Sequence, residues 1–298
     1  MDTRTMHYFL TIAQEGSFTK AAEALHMTQP PLSRQIKELE AELGVTLIDR
    51  SGKRIALTEE GAAFRERAQE VVDLMRQIKS DMSADAKNPT GEVRIACGET
   101  DAVTLLAQSA KALQRRHPAI TYRLLSGDRD FVLDKLERNG ADIGLLVVSS
   151  VDSERYDFLK IPVRDAWGVL MRADDPLAQS SGIEPAQLTK APLLLPYRAA
   201  MGSDLMAWFG VNRGKLNVVG TYDLAYNASR FAKEGFGYAV VLDGIVEATE
   251  ESGLAFRPLS PQLEAELFLV WKRHPRPSRA VEAFLEEICL LTGAGAKA

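Results

Sequence analysis

Apolar positions change their spacing along the chain, and each spacing predicts a different element. From Thr3 to Leu43 they recur every three or four residues. Met6, Phe9, Leu10 and Ala13 share one side of a helix from about Thr3 to Glu15. Phe18, Ala21, Ala22 and Leu25 share one side of a second, and Leu32, Ile36, Leu39 and Leu43 one side of a third. The third opens at Pro30-Pro31, where proline costs least, because a helix's first N–H groups have no intrahelical partner. Proline also moves its preceding residue away from helical geometry, which makes Gln29 the expected entry point. His26-Met27-Thr28 joins the second helix to the third, so the three predict a helix-turn-helix with a bracing helix. After Gly44, strands at Val45–Ile48 and Arg54–Leu57 flank a Ser51-Gly52-Lys53 turn and predict a wing.

A second pattern begins at Thr58, a helix N-cap followed by two first-turn acids, Glu59 and Glu60. Phe64, Ala68, Val71, Met75, Ile78 and Met82 then alternate steps of four and three residues. That is an a/d heptad seam, which predicts a dimerising linker helix rather than a helix packed only on its own domain. The stretch Asp85-Ala-Lys-Asn-Pro-Thr-Gly91 closes it and marks a domain boundary.

From Val93 onward, short apolar runs alternate with helical stretches. Strands are expected at Val93–Cys97, Ile120–Leu125, Asp142–Val148, Trp167–Arg172, Leu193–Pro196, Val218–Gly220, Gly237–Leu242, Leu254–Pro258 and Glu266–Trp271. A helix at Ser278–Leu291 ends the series. Such alternation predicts parallel sheets with helices on both faces. The fold class is therefore α/β with an all-α winged head: residues 1–58 form the head, 59–87 the linker helix, and 88–298 a two-lobed domain. Lobe I spans about 92–161 and 269–292, and lobe II about 162–268, with the chain crossing between them twice.

Composition narrows the function. The chain has 298 residues, 46% hydrophobic and 26% charged, with a net charge of −5. No apolar run reaches the roughly 18 residues of a membrane span, and the first residues lack a signal-peptide pattern, so a cytoplasmic protein is expected. Cys97 and Cys289 lie far apart, and the four histidines have no ligand spacing, so neither a metal nor another cofactor is expected. Residues 1–60 carry seven Lys/Arg against nine Asp/Glu, so bulk charge does not point to DNA. Distribution does: Pro30, Ser33, Arg34 and Lys37 share one face of the third helix, and Arg50, Lys53 and Arg54 cluster at the wing.

The run SFTKAAEALHMTQPPLSRQIKELEAELGVTLIDR, followed by LTEEG, resembles the N-terminal region of LysR-type transcriptional regulators. The likeness is dense over roughly the first 65 residues and architectural beyond them; Ile48 stands where the family more often has Phe. It implies that the helix from Gln29 enters the major groove of double-stranded DNA, with Gln29, Pro30, Ser33, Arg34 and Lys37 making groove and phosphate contacts. It also implies a periplasmic-binding-protein-like second half that binds a small effector, and a homotetramer built as a dimer of dimers. Contact with the transcription machinery fits that role.

Ligands on such sheets sit beyond the carboxyl ends of strands, near helix N-termini. That rule selects Glu99, Thr100 and Asp101 after the first strand, and Gly127 and Asp128 after the second. In the other lobe it selects Pro196, Tyr197 and Arg198, with Thr221, Tyr222 and Asp223. Arg198 suits a carboxylate, whereas Glu99, Asp101 and Asp128 suit a cation or hydroxyl; Asp101 also reads as an N-cap and Glu99 as a solvated acid. The effector's charge is open at this point. Cys97, beside the pocket, reads as a buried strand cysteine. The expected function is a ligand-responsive DNA-binding regulator and not an enzyme. A binding module or enzyme without a DNA role would leave the first 85 residues without a purpose.

Overall fold

Helix α1 (Thr3–Glu15) starts where the Asp2 carboxylate accepts the Thr5 N–H at 2.7 Å, and it stops at Gly16 in the left-handed region. The computed structural model describes residues 1–50, 55–81, 88–163, 165–197, 204–249, 251–274 and 276–293. Lys53, Arg54, Met82 and Arg198 lie outside the described residues. The chain divides into two units, Met1–Lys87 and Asn88–Ala298.

In the first unit α2 (Phe18–Ala24) and α3 (Gln29–Leu43) follow α1. Thr28 is the N-cap of α3 but makes no side-chain capping bond. The reason lies in the prolines: a cap oxygen normally accepts from the second or third helical N–H, and Pro30 and Pro31 have none. Phe9, Ile12, Ala21, Leu32, Ile36 and Leu39 form the core with Leu47 and Ile48. Leu43, placed on the inner stripe by its spacing, is exposed. The hairpin is shorter than expected, with β1 (Ile48–Asp49) antiparallel to β2 (Ala56–Leu57).

Helix α4 (Glu59–Asp81) is capped by Thr58, whose Oγ1 accepts the Gly61 N–H at 2.9 Å and donates to the Thr46 carbonyl at 2.6 Å. A Cβ on Gly61 would stand 2.0 Å from the Leu47 carbonyl oxygen, so only glycine admits the helix this close to the strand.

The second unit holds two mixed sheets. The first contains β3 (Gly91–Cys97), β4 (Ile120–Ser126), β5 (Ile143–Val147), β6 (Tyr156–Lys160) and β13 (Leu267–Lys272), in the order β4-β3-β5-β13-β6. Helices α5 (Val103–Arg116) and α10 (Arg279–Thr292) cover one face, where Val93, Ile95, Leu106, Leu113 and Phe284 pack. Helix α6 (Arg129–Glu137) covers the other, against Ala96, Leu146 and Val270. Val93, Ile95 and Cys97 of β3 therefore meet apolar neighbours on one face and Ala96 on the other, and only Ile95 to Cys97 form an unbroken apolar run.

The second sheet contains β7 (Asp165–Arg172), β8 (Leu193–Pro196), β9 (Val218–Tyr222), β10 (Tyr238–Leu242) and β11 (Leu254–Pro258), in the order β11-β7-β10-β8-β9. The short β12 (Glu264–Ala265) pairs with β7. Helices α7 (Pro185–Leu188) and α8 (Asp204–Phe209) lie towards one face, with Leu188, Leu205 and Phe209 in its core; α9 (Ala225–Lys233) lies on the other.

The all-parallel expectation fails at two strands. β13 runs antiparallel to β5 and β6, and β7 antiparallel to β10, β11 and β12. Parallel neighbours need a crossover of a dozen or more residues. The chain instead passes from one sheet to the other in a few residues, between Lys160 and Asp165 and again at Glu266. Leu267 and Phe268 thus belong to the first lobe, a short distance from the boundary expected at 268. Strand β6 is an addition to the expected set.

Candidate DNA-reading face and effector cleft

Helix α3 buries Leu32, Ile36 and Leu39 and leaves Gln29, Pro30, Arg34 and Lys37 exposed, with Ser33 half-buried beside them. Two of its acids are engaged within the domain. Arg34 Nε lies 2.8 Å from Glu38 Oε1, an exposed pair one helical turn apart. Glu40 turns inward, and its Oε1 accepts the Leu47 and Ile48 N–H groups at 2.9 and 3.0 Å. Arg50, expected at the wing tip, is folded back on the domain. Its guanidinium sits 4.8 Å above the Phe18 ring, 3.3 Å from Glu40 and 3.4 Å from Ser33 Oγ.

The linker seam divides. Phe64 meets Phe9 edge to face at 5.1 Å, and Ala68 is buried with Met6 and Val72 against α1. Within the chain these two residues serve the domain's own core. Val71, Met75 and Ile78 are exposed, and Leu74 joins them to complete an i, i+3, i+4, i+7 stripe.

In the second unit a cavity of about 460 Å³ opens at the carboxyl ends of the strands of both sheets. Of the residues expected there, it brings together Glu99, Gly127, Asp128, Pro196, Tyr197 and Tyr222. Thr100, Asp101 and Thr221 do not line it. Thr100 is buried, its Oγ1 accepting the Ala102 N–H at 3.1 Å and its hydroxyl bonded to Asp165, the first residue of β7. Burial pushes the Asp165 carboxyl up, and the Thr100 bond pulls it partly back. Asp101 lies against Gly244; its backbone carbonyl accepts the Thr104 N–H at 2.9 Å, and its Oδ1 accepts from Thr104 Oγ1 at 3.4 Å. Thr221 is exposed, because alternation along β9 sends it to the face opposite Tyr222.

Two acids have fixed roles at this site. Asp128 Oδ1 accepts the Phe131 N–H at 2.9 Å and caps α6. Glu99, in the first lobe, accepts the Ala225 N–H at the start of α9 in the second. Burial, and then the charge of Glu99, pushes the Tyr222 phenol far up; its hydroxyl donates to the Val240 carbonyl. Cys97 is buried behind the cavity, and burial pushes its thiol up.

Sequence reasoning missed several lining residues. Val147 to Ser150, and Leu242 with Ile245, lie at or just beyond the ends of β5 and β10, so the strand-end rule applied to two further strands finds them. Asp223, which the strand-end rule does select after Tyr222, lines the cavity too. Trp167 and Glu264 to Glu266 come from the two crossings, which no local pattern marks.

Comparison with known proteins agrees with this division. The family described as "LysR substrate binding domain" matches residues 86–289, and "Bacterial regulatory helix-turn-helix protein, lysR family" matches residues 3–62. The HTH-type transcriptional regulator BudR of Raoultella terrigena is 27% identical over 293 residues, 96% of this chain and 99% of that one. The transcriptional activator CmpR of Synechocystis sp. is 31% identical over 229 residues, 73% and 72% of the two chains. The crystal structure of full-length CbnR with its target DNA shares the fold at a TM-score of 0.71 and 20% identity, covering 97% of this chain and 99% of that one. Among the described residues no helix is long and apolar enough to cross a membrane. With a substrate-binding domain behind a helix-turn-helix, the chain belongs to the LysR family: it is a LysR-type transcriptional regulator, a DNA-binding protein with an effector-binding domain and not an enzyme.

Proposed function

We propose that the start of α3 reads the operator, that Val71, Leu74, Met75 and Ile78 pair two chains, and that a small molecule in the cleft switches the response. The carrying observation is the division of α3. Leu32, Ile36 and Leu39 of its apolar stripe are used by the core, while Gln29, Pro30, Arg34 and Lys37 are left exposed together on its first turns. Base edges are read by side chains at this end of a recognition helix, and phosphates by cations beside it. Arg50 supports this face from beneath, with its charge shared between Glu40 and the Phe18 ring. Lys53 and Arg54 complete the phosphate contacts at the wing.

The exposed stripe on α4 supports a dimer, and family likeness supports a dimer of dimers acting in the cytoplasm with the transcription machinery as partner. Cleft closure then changes the spacing of the paired heads or the bend they impose on DNA.

The test starts from selection of operator sequences out of random duplexes by the full chain, followed by binding of the selected site. Arg34→Ala should cut operator affinity by about tenfold or more, the loss of one good base or phosphate contact. Each lost phosphate contact should flatten the log–log salt dependence by about 0.9. Ligand-induced thermal shifts should survive the change. An unselective, salt-independent signal, or an Arg34→Ala variant that binds as the parent does, defeats this assignment.

A further inference from the structure

The cleft identifies the charge of its effector. We propose that it takes an organic cation, a protonated amine or guanidine on an apolar or aromatic body; this rests on the proposed effector role of the cavity and gives it a ligand class. The site itself is the 460 Å³ cavity of the substrate-binding domain, and the side chains around it decide only what it accepts.

Three observations converge. First, the two longer helices that begin at the cavity already have their N-termini occupied by carboxylates of this chain. Asp128 takes the Phe131 N–H of α6, and Glu99 reaches across from the other lobe to take the Ala225 N–H of α9. An anionic effector meets at each of these helix ends a carboxylate that already takes one of the free N–H groups and sets a like charge beside it.

Second, the described lining holds six carboxylates, Glu99, Asp128, Asp204, Asp223, Glu264 and Glu266, and one cation, Arg129. Glu266 pairs with Lys160 Nζ at 2.5 Å; with it and Glu264 set aside, Glu99, Asp128, Asp204 and Asp223 still outnumber Arg129 among the described lining residues. Among the described residues no three of these acids come together as a metal site, so they suit an extended organic cation better than a bare ion. Third, most of the remaining lining is apolar or aromatic: Leu145, Leu205, Leu242 and Ile245, with the rings of Trp167 and Tyr197, whose faces attract cations.

The acids come from both walls. Glu99, Asp128 and Glu266 approach from the first lobe and its crossing, Asp204 and Asp223 from the second. A cation held between them interacts with both lobes at once only when these draw together. Its binding therefore favours the closed cleft by the difference in contacts between the two states.

The experiment is thermal melting of the full chain with matched probes at millimolar concentration: phenethylamine against 3-phenylpropionate, putrescine against succinate, agmatine, and calcium chloride. At least one amine or guanidine should raise the melting temperature while both carboxylates and calcium leave it unchanged. Asp223→Asn, at an exposed position, should melt like the parent without probe and bind the active amine about tenfold more weakly, the loss of one charged hydrogen bond. Asp204→Asn provides the second variant. A rise with 3-phenylpropionate or succinate alone, or with calcium alone, overturns the cation class and leaves the effector role standing. No rise with any probe counts against occupancy of the cleft by small molecules, and then the effector role falls with it.

Discussion

Glu40 holds the root of the hairpin, and its replacement separates two kinds of stabilisation. Its Oε1 accepts both the Leu47 and Ile48 N–H groups, at 2.9 and 3.0 Å, and its Oε2 faces Arg50 at 3.3 Å. Leu47 and Ile48 are each only 1% exposed, so water does not readily replace the lost acceptor. Leaving a buried donor unsatisfied costs about 1–3 kcal/mol, so Glu40→Ala should destabilise the N-terminal unit by about 4 kcal/mol for the two. Glutamine keeps an acceptor oxygen and loses the charge. Glu40→Gln should cost about 1–2 kcal/mol, the difference between charged and neutral hydrogen bonds plus a partly exposed ion pair. The assay is urea unfolding of the full chain with two probes. All three tryptophans, Trp167, Trp208 and Trp271, lie beyond residue 88, so their fluorescence reports the second unit, while far-UV circular dichroism also registers the helices of the first. The early dichroism transition should move down by about 2 M or more for Glu40→Ala, at a slope of roughly 1–2 kcal/mol per molar. The fluorescence midpoint should stay in place. If Glu40→Gln is as damaging as Glu40→Ala, attraction to Arg50 dominates and the acceptor argument is wrong.

Other outcomes follow from the same geometry. Gly61→Ala should cost about 1–3 kcal/mol or more in the same transition, because its Cβ meets the Leu47 carbonyl rather than a movable side chain. Leu74→Glu with Ile78→Glu should lower the mass seen in sedimentation equilibrium without moving the urea transition of an isolated head, whereas Ala68→Glu should unfold that head. Tyr238 is pushed up to about 12 by burial and by its bond to Asp175 at 2.9 Å. Its folded form holds the proton more tightly than the unfolded chain does, so its contribution is intact below the ordinary value of 10.0 and is lost as pH rises towards 12. Tyr238→Phe should therefore flatten part of the decline in stability measured between those pH values.

What could be read from the chain was local. The entry of α3 follows from Pro30 and Pro31, and that of α4 from Thr58 and its two acids, because caps and prolines act within one turn. What depends on a partner far along the chain was not legible. A spacing of four and three residues records that α4 has an apolar face, but a second chain and α1 want the same spacing. Only Phe9 and Met6, meeting Phe64 and Ala68, decide which part of the face is already used. Strand β6 escaped for a related reason. It is an edge strand with Asp157 and Lys160 among its five residues, and it lacks the unbroken apolar run of the buried strands.

The cleft shows where residue-by-residue reading meets its limit. Position at a strand end selects a loop, but side-chain direction selects the residue. Thr100 turns inward to Asp165 while Glu99, one residue earlier, reaches the other lobe. From the sequence, capping and ligand binding look like competing fates for an acid at a helix start. In the fold Asp128 caps α6 and lines the cavity at the same time. Glu99 likewise answers α9 across the cleft while its charge raises the Tyr222 phenol. A capping carboxylate does not withdraw its charge from the cavity; it removes the N–H that an anion would have used. The two fates therefore reinforce each other, and both turn the cleft away from anions.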